Sequence, residues 1–156
     1  LRELRTNPQQ QANSAYARAF QVEGAHLGFT AAGLAALVSD PVARVHYIEA
    51  YERSDFEAML NYYKRNYPRE PYPDIPLPNV QAPVLVIHGL ADPFLLAAGH
   101  NSTWDWVDAP VTVVAVPGVG HFIQQDASVL VTRTIKRWLA EERTPTRQPA
   151  AAFPGG

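Results

Sequence analysis

The sequence predicts an α/β fold in which a helical section precedes two parallel strands, each followed by a helix. Three observations predict it. Residues 1 to about 67 carry repeated helix-start signals and almost no clusters of β-branched residues. Two apolar runs, Val84-Leu85-Val86-Ile87 and Val111 through Val116 with Thr112 the one polar residue in them, have the composition of strands buried on both faces. Each run ends in a loop that contains glycine, His88-Gly89 and Pro117-Gly118.

The elements follow in order. Asn7-Pro8 places a capping residue before a proline at the first helical position, where the missing N–H costs nothing. Thr30 is positioned to cap a helix over Ala31 to Val38. Asp40-Pro41 repeats the cap and proline device, and Val42, Val45 and Tyr51 fall on one face of the helix it begins. Ser54 and Glu57 have capping-box spacing. Six prolines, Pro68, Pro71, Pro73, Pro76, Pro78 and Pro83, then exclude a continuous helix. After the first strand a helix is expected around Leu95 to Val107. After the second, a helix from about Gln124 to Glu141 offers Leu130, Ile135, Trp138 and Leu139 as core positions. The chain therefore divides into a helical section over 1–73, a strand–helix section over 74–143 and a tail over 144–156, whose Pro145, Pro149, Pro154, Gly155 and Gly156 predict disorder.

Composition narrows the function. The chain has 156 residues, enough for one domain, and a net charge of −2 with no basic stripe, which argues against nucleic acid. It contains no cysteine, so disulfides, thiolate metal sites and cysteine nucleophiles are excluded. No apolar run approaches the ~20 residues of a membrane span. A cytoplasmic location is the expectation.

Two parallel strands are too few for an independent sheet, and one edge would be apolar and unpaired. Further strands before Leu1, or another chain, must cover it; a homodimer is one such arrangement.

Ligands of open parallel sheets bind beyond the carboxyl ends of the strands. Asp92 follows the first strand in His88-Gly89-Leu90-Ala91-Asp92-Pro93-Phe94, and His121 follows the second in Gly118-Val119-Gly120-His121-Phe122. Either residue alone reads as a turn or cap residue. Together, on successive strands and in the order acid then histidine, they match the last two members of a hydrolase triad. Phe94, Trp104, Trp106 and Phe122 are candidates to line an apolar pocket, although core packing explains them equally. His26, His46 and His100 show no metal-ligand spacing.

At these residues the chain resembles a family. Pro83 through Gly89 with Asp92, then Gly118 through His121, resemble the acid and histidine blocks of α/β-hydrolases. Ser14-Ala15-Tyr16-Ala17-Arg18-Ala19-Phe20-Gln21 resembles the first cap helix of epoxide hydrolases, and Leu60-Asn61-Tyr62-Tyr63-Lys64-Arg65-Asn66 their later cap motif. The resemblance implies the C-terminal part of an α/β-hydrolase fold, a helical cap followed by the last two strand–helix units. It implies an enzyme that adds water to an epoxide through an ester on an aspartate nucleophile. His121 would be the base, Asp92 its orienting acid, and Tyr16 and Tyr63 the donors to the epoxide oxygen. Phe94 and Phe122 would contact a small apolar substrate, and no metal or organic cofactor is needed. Tyr62 competes with Tyr63, because neighbouring helical positions differ by about 100°.

One block is missing from the sequence. It has no Gly-x-Ser-x-Gly elbow or aspartate version of it, so the nucleophile is expected upstream of Leu1 and the chain is expected to be inactive alone. A haloalkane dehalogenase or carboxylesterase of the same fold is the nearest alternative. A non-catalytic remnant that binds a small molecule or a partner is the alternative of another class.

Overall fold

The computed structural model describes residues 1–72 and 76–142. The section boundary expected at 73 and 74 and the tail expected over 144–156 lie outside them. Short helices come first: α1 (Arg2–Thr6), α2 (Pro8–Asn13), α3 (Ala15–Ala19), α4 (Ala31–Ala35), α5 (Pro41–Glu52) and α6 (Phe56–Asn66). Strand β1 (Val84–Gly89) pairs in parallel with β2 (Val111–Val116), and α7 (Ile123–Asp126) and α8 (Ser128–Glu142) complete the order. This is the expected α/β arrangement of a helical cap and two parallel strands with helices beside them.

Caps explain where most cap helices begin. The Asn7 side chain accepts from the amides of Gln9 and Gln10, and Asp40 accepts from Val42 and Ala43. Each such bond is worth ~1 kcal/mol, and the following proline loses no helical hydrogen bond. Thr30 accepts from Gly33, but its helix stops at Ala35 rather than continuing to Val38. The cap of α6 is Asp55, which accepts from Ala58, and not Ser54. The Ser54 hydroxyl instead donates back to the Ala50 carbonyl and closes the end of α5.

The core of the cap is small. Ala17, Ala35, Val38 and Leu60 are its buried hydrophobic residues. Rings fill the space around them, with Phe20 stacked edge-on against Phe29 at 5.2 Å and against Tyr63 at 5.1 Å. On α5 the expected face is turned out at two of its three positions: Val42 and Val45 are exposed, and only Tyr51 is partly covered. Arg44 lies on the inner side instead, because its guanidinium donates to the Val38 carbonyl at 2.9 and 2.7 Å.

The strands run in register from Val84 opposite Val111 to Gly89 opposite Val116. Their expected burial on both faces is not met: Thr112, Val113 and Ala115 are exposed, and Val84 to Ile87 are only partly covered. With two strands, α7 and α8 pack against β1 and leave apolar surface of the sheet open. On α8, Leu130 and Trp138 are partly covered as expected, whereas Ile135 and Leu139 are exposed.

The connection between the strands also departs from expectation. In place of one helix over Leu95 to Val107 there are two 3₁₀ turns, Ala97–His100 and Thr103–Trp106. Ser102, at φ 63°, lies in the left-handed region between them and ends any continuous helix. The last helix is likewise divided at Ala127, where the backbone leaves helical geometry (φ −130°, ψ 40°).

Candidate active site

The parallel register brings the ends of β1 and β2 side by side, and the loops beyond them continue the pairing. Leu90 N–H donates to Val116 O, and Ala91 N–H donates to Val119 O, both at 2.9 Å. Gly89 makes this approach possible, because a Cβ there would run into the carbonyl oxygens of Val119 and Gly120. Gly118 makes the preceding turn at φ +73°, a conformation that costs other L-residues ~1–2 kcal/mol.

Asp92 and His121 meet across these loops. Asp92 is buried, and its Oδ2 lies 2.9 Å from His121 Nδ1. Its Oδ1 accepts from the amides of Phe94 at 2.7 Å and Leu95 at 3.0 Å. Burial pushes the carboxyl pKa up, but the bond from His121 and the two amides outweigh it and hold the value below the ordinary 3.8. Asp92 is therefore ionised at neutral pH and only accepts, which places the imidazole proton on Nδ1. Nε2 of the partly exposed ring is left to exchange protons with a ligand or water.

The other expected site residues form one aromatic chain leading to this pair. The Phe94 ring stands 5.0 Å from His121 and 5.2 Å from Tyr16, centroid to centroid. Tyr16 in turn meets Tyr63 at 6.0 Å, ring edge to face. Phe122 also packs against the His121 ring, at 5.1 Å. Tyr63, and not Tyr62, is the inward residue of the two, since Tyr62 is 66% exposed. Burial first, and then the neighbouring Tyr63 and Tyr67, push the Tyr16 pKa up to about 12. Its hydroxyl therefore keeps its proton across the physiological range and remains a donor.

The tyrosines are held by the cap itself. Gln21, in the turn after α3, donates to the carbonyls of Tyr63 at 3.0 Å and Tyr67 at 2.9 Å, which ties α3 to the end of α6. Trp104 and Trp106 do not join the group; both are exposed on the second 3₁₀ turn. His88 lies buried at the end of β1, with its ring 4.5 Å from that of His100 and its Nε2 without a hydrogen-bond partner among the described residues. Burial, and then His88, hold the His100 pKa below its ordinary value. Among the described residues no group of three or more His, Asp or Glu side chains is placed to hold a metal ion.

One contributor was not read from the sequence. Gln10 on α2 is buried; its Nε2 donates to Phe94 O at 2.8 Å and to Ser14 Oγ at 2.9 Å, and its Oε1 accepts from Leu96 N–H at 2.8 Å. The available signal was the i, i+4, i+7 spacing of Gln10, Ser14 and Ala17, three buried residues that run from α2 across Ser14 into α3.

Strand order, the acid and histidine at the strand ends and a helical cap above them define a member of the α/β-hydrolase superfamily, to which this chain belongs. Within it the fold is epoxide-hydrolase-like. The chain is 33% identical over 109 residues to epoxide hydrolase A of Mycobacterium tuberculosis, a match covering 69% of this chain and 34% of that protein. Its fold matches that of an epoxide hydrolase from metagenomes of hot environments with a TM-score of 0.72 at 26% identity, over 88% of this chain and 53% of the other. A product complex of an epoxide hydrolase from Bacillus megaterium matches with a TM-score of 0.71 at 24% identity, over 89% of this chain and 55% of the other. The chain thus spans about half the length of these structures and a third of the Mycobacterium tuberculosis relative. No family model matches it.

Proposed function

We propose that this chain is the cap and C-terminal core of an epoxide hydrolase, with an aspartate nucleophile on a segment preceding Leu1. The observation that carries the reading is the Asp92–His121 pair at 2.9 Å, joined through the Phe94 ring to the Tyr16–Tyr63 pair. An esterase or dehalogenase would use the same acid and histidine, but neither calls for two tyrosines gathered above them.

In the proposed reaction a carboxylate oxygen of the upstream aspartate attacks one epoxide carbon, and the carbon–oxygen bond of the ring breaks. The departing oxygen takes a proton from a tyrosine hydroxyl, Tyr16 or Tyr63, which stabilises the charge as it develops. His121 Nε2 then removes a proton from a water molecule that attacks the ester carbonyl. The acyl–oxygen bond breaks as the diol leaves with the proton of the new carboxyl group, and the imidazolium proton returns through water to the tyrosinate. Asp92 stabilises the imidazolium formed in that step. Phe94 and Phe122, both in contact with the His121 ring, offer an apolar surface to a small apolar substrate.

The segment before Leu1, rather than a second copy in a homodimer, is the proposed cover for the open apolar sheet. The reading includes a cytoplasmic location, in keeping with the cysteine-free composition. Among the described residues no helix is long and apolar enough to cross a membrane.

The test begins with the coding DNA upstream of Leu1 and an assay of the extended protein. A naphthyl glycidyl ether is a suitable first substrate, since its opening gives the kind of naphthyloxy-propanediol bound in the Bacillus megaterium structure. A glycine-flanked aspartate elbow, diol formation, and losses of about 100-fold in kcat for Tyr16→Phe and Tyr63→Phe are expected. A serine elbow would move the reaction to ester hydrolysis. A start codon close to Leu1 with no elbow would remove the enzymatic reading.

A further inference from the structure

We infer that Gln10 is a positioning residue that couples the cap to the acid–histidine pair, an inference that rests on the proposed roles of Asp92 and His121. The stretch from Phe94 to Leu96 is gripped from two sides. From inside, Asp92 Oδ1 holds the amides of Phe94 and Leu95. From the cap side, Gln10 holds the Phe94 carbonyl and the Leu96 amide with opposite ends of one side-chain amide. Three of that amide's hydrogen-bonding positions are filled, and the group is buried, so an alternative orientation would leave a donor and an acceptor unpaired.

The consequence is geometric. The two amides occupy Oδ1 and leave Oδ2 to face His121, so the turn they belong to sets the direction of the acid. Gln10 fixes that turn to α2. Its third partner, Ser14, precedes α3, where Tyr16 lies two residues further on. The same turn carries Phe94, whose ring touches both Tyr16 and His121. A movement of α2 relative to the strands would therefore shift the acid and the cap tyrosine together.

The test is NMR of the protein with labelled histidine, together with residue-specific hydrogen exchange, on wild type, Gln10→Met and Ser14→Ala. Gln10→Met keeps the volume and removes the polar contacts, whereas Ser14→Ala spares the contacts to the loop. Wild type is expected to show His121 as the Nδ1–H tautomer with a slowly exchanging proton. In Gln10→Met that proton and the amides of Phe94 and Leu95 should exchange at least about tenfold faster, with the β1–β2 amides unchanged. Ser14→Ala should stay close to wild type. Uniform acceleration everywhere, or none at Phe94, Leu95 and His121, would overturn the positioning role. An Nε2–H tautomer in wild type would instead overturn the reading of the pair itself, whatever the variants do. Where Gln10→Met fails to fold, Gln10→Glu carries the same comparison, because it keeps the acceptor for Leu96 and loses the donor to Phe94.

Discussion

The loops that carry Asp92 and His121 and the strands that lead to them are finished to different degrees. In the acid loop both carboxylate oxygens are engaged, two backbone amides point inward and a buried glutamine holds the outer side. In the strand before the histidine loop and the helix after it, by contrast, β2 leaves Val113 44% exposed and α8 leaves Ile135 and Leu139 uncovered. The difference teaches that the acid–histidine geometry is built from contacts that this chain supplies itself, some between residues far apart in sequence. The hydrophobic support of the sheet is not. Hydrogen bonds over a three-residue turn can be satisfied by two side chains, Asp92 and Gln10, whereas a parallel sheet is covered only by further strands and helices.

The largest expected break in this contrast is at Gly89. In Gly89→Ala the new Cβ meets two backbone carbonyls of the histidine loop, and backbone yields less readily than a side chain. A loss of about 2–3 kcal/mol is expected in denaturant unfolding. Gly118→Ala has open space and pays only for its backbone conformation, about 1–2 kcal/mol. Equal losses at the two glycines would mean that the close approach of the loops is unimportant.

Next in size is Asp92→Asn, for which a loss of about 2 kcal/mol at neutral pH is expected from a buried, charge-assisted network. The pH dependence has a definite sign. The folded carboxyl lies below its ordinary 3.8, so the unfolded chain binds more protons and stability rises with pH through that region. The contribution is present above 3.8 and is lost as pH falls through the lower, folded value. Unfolding curves at pH 7 and below should show the difference between wild type and Asp92→Asn shrinking with acid. A difference independent of pH would contradict the account. The amide of asparagine would also donate to Nδ1 and move the imidazole proton to Nε2.

The smallest effect is expected on the open sheet. Val113→Thr should change the stability of this chain by no more than about 0.5 kcal/mol, because its side chain is half in water. In a protein extended before Leu1 the same substitution should cost about 1 kcal/mol or more once that face is covered. An identical small cost in both proteins would mean that nothing packs there.

Much of this architecture was legible in the residues. Two apolar runs, with Thr112 the one polar residue in them, specified both strands, because a strand in a parallel sheet has no polar face to give a regular alternation. The acid and histidine were legible from position alone, each just past a strand end. Tyr63 and Tyr62 could not be separated without knowing which way α6 faces, and that depends on Gln21 reaching across to the carbonyls of Tyr63 and Tyr67. The helix expected after β1 failed for a local reason, the left-handed Ser102 between two short turns. Gln10 is not legible in the sequence, because a glutamine on a short helix reads as solvent-facing and its partners on the acid loop lie 84 and 86 residues away in the chain.

The most direct measurement of the central claim is a single turnover of the extended protein, in excess over an epoxide, in water labelled with oxygen-18. If His121 activates water against an ester, the diol of the first turnover takes its new oxygen from the aspartate. That diol will be unlabelled, and the label will appear in the carboxylate of the protein. Label in the first-turnover diol would mean that water attacks the epoxide directly, and would contradict the roles proposed for Asp92 and His121.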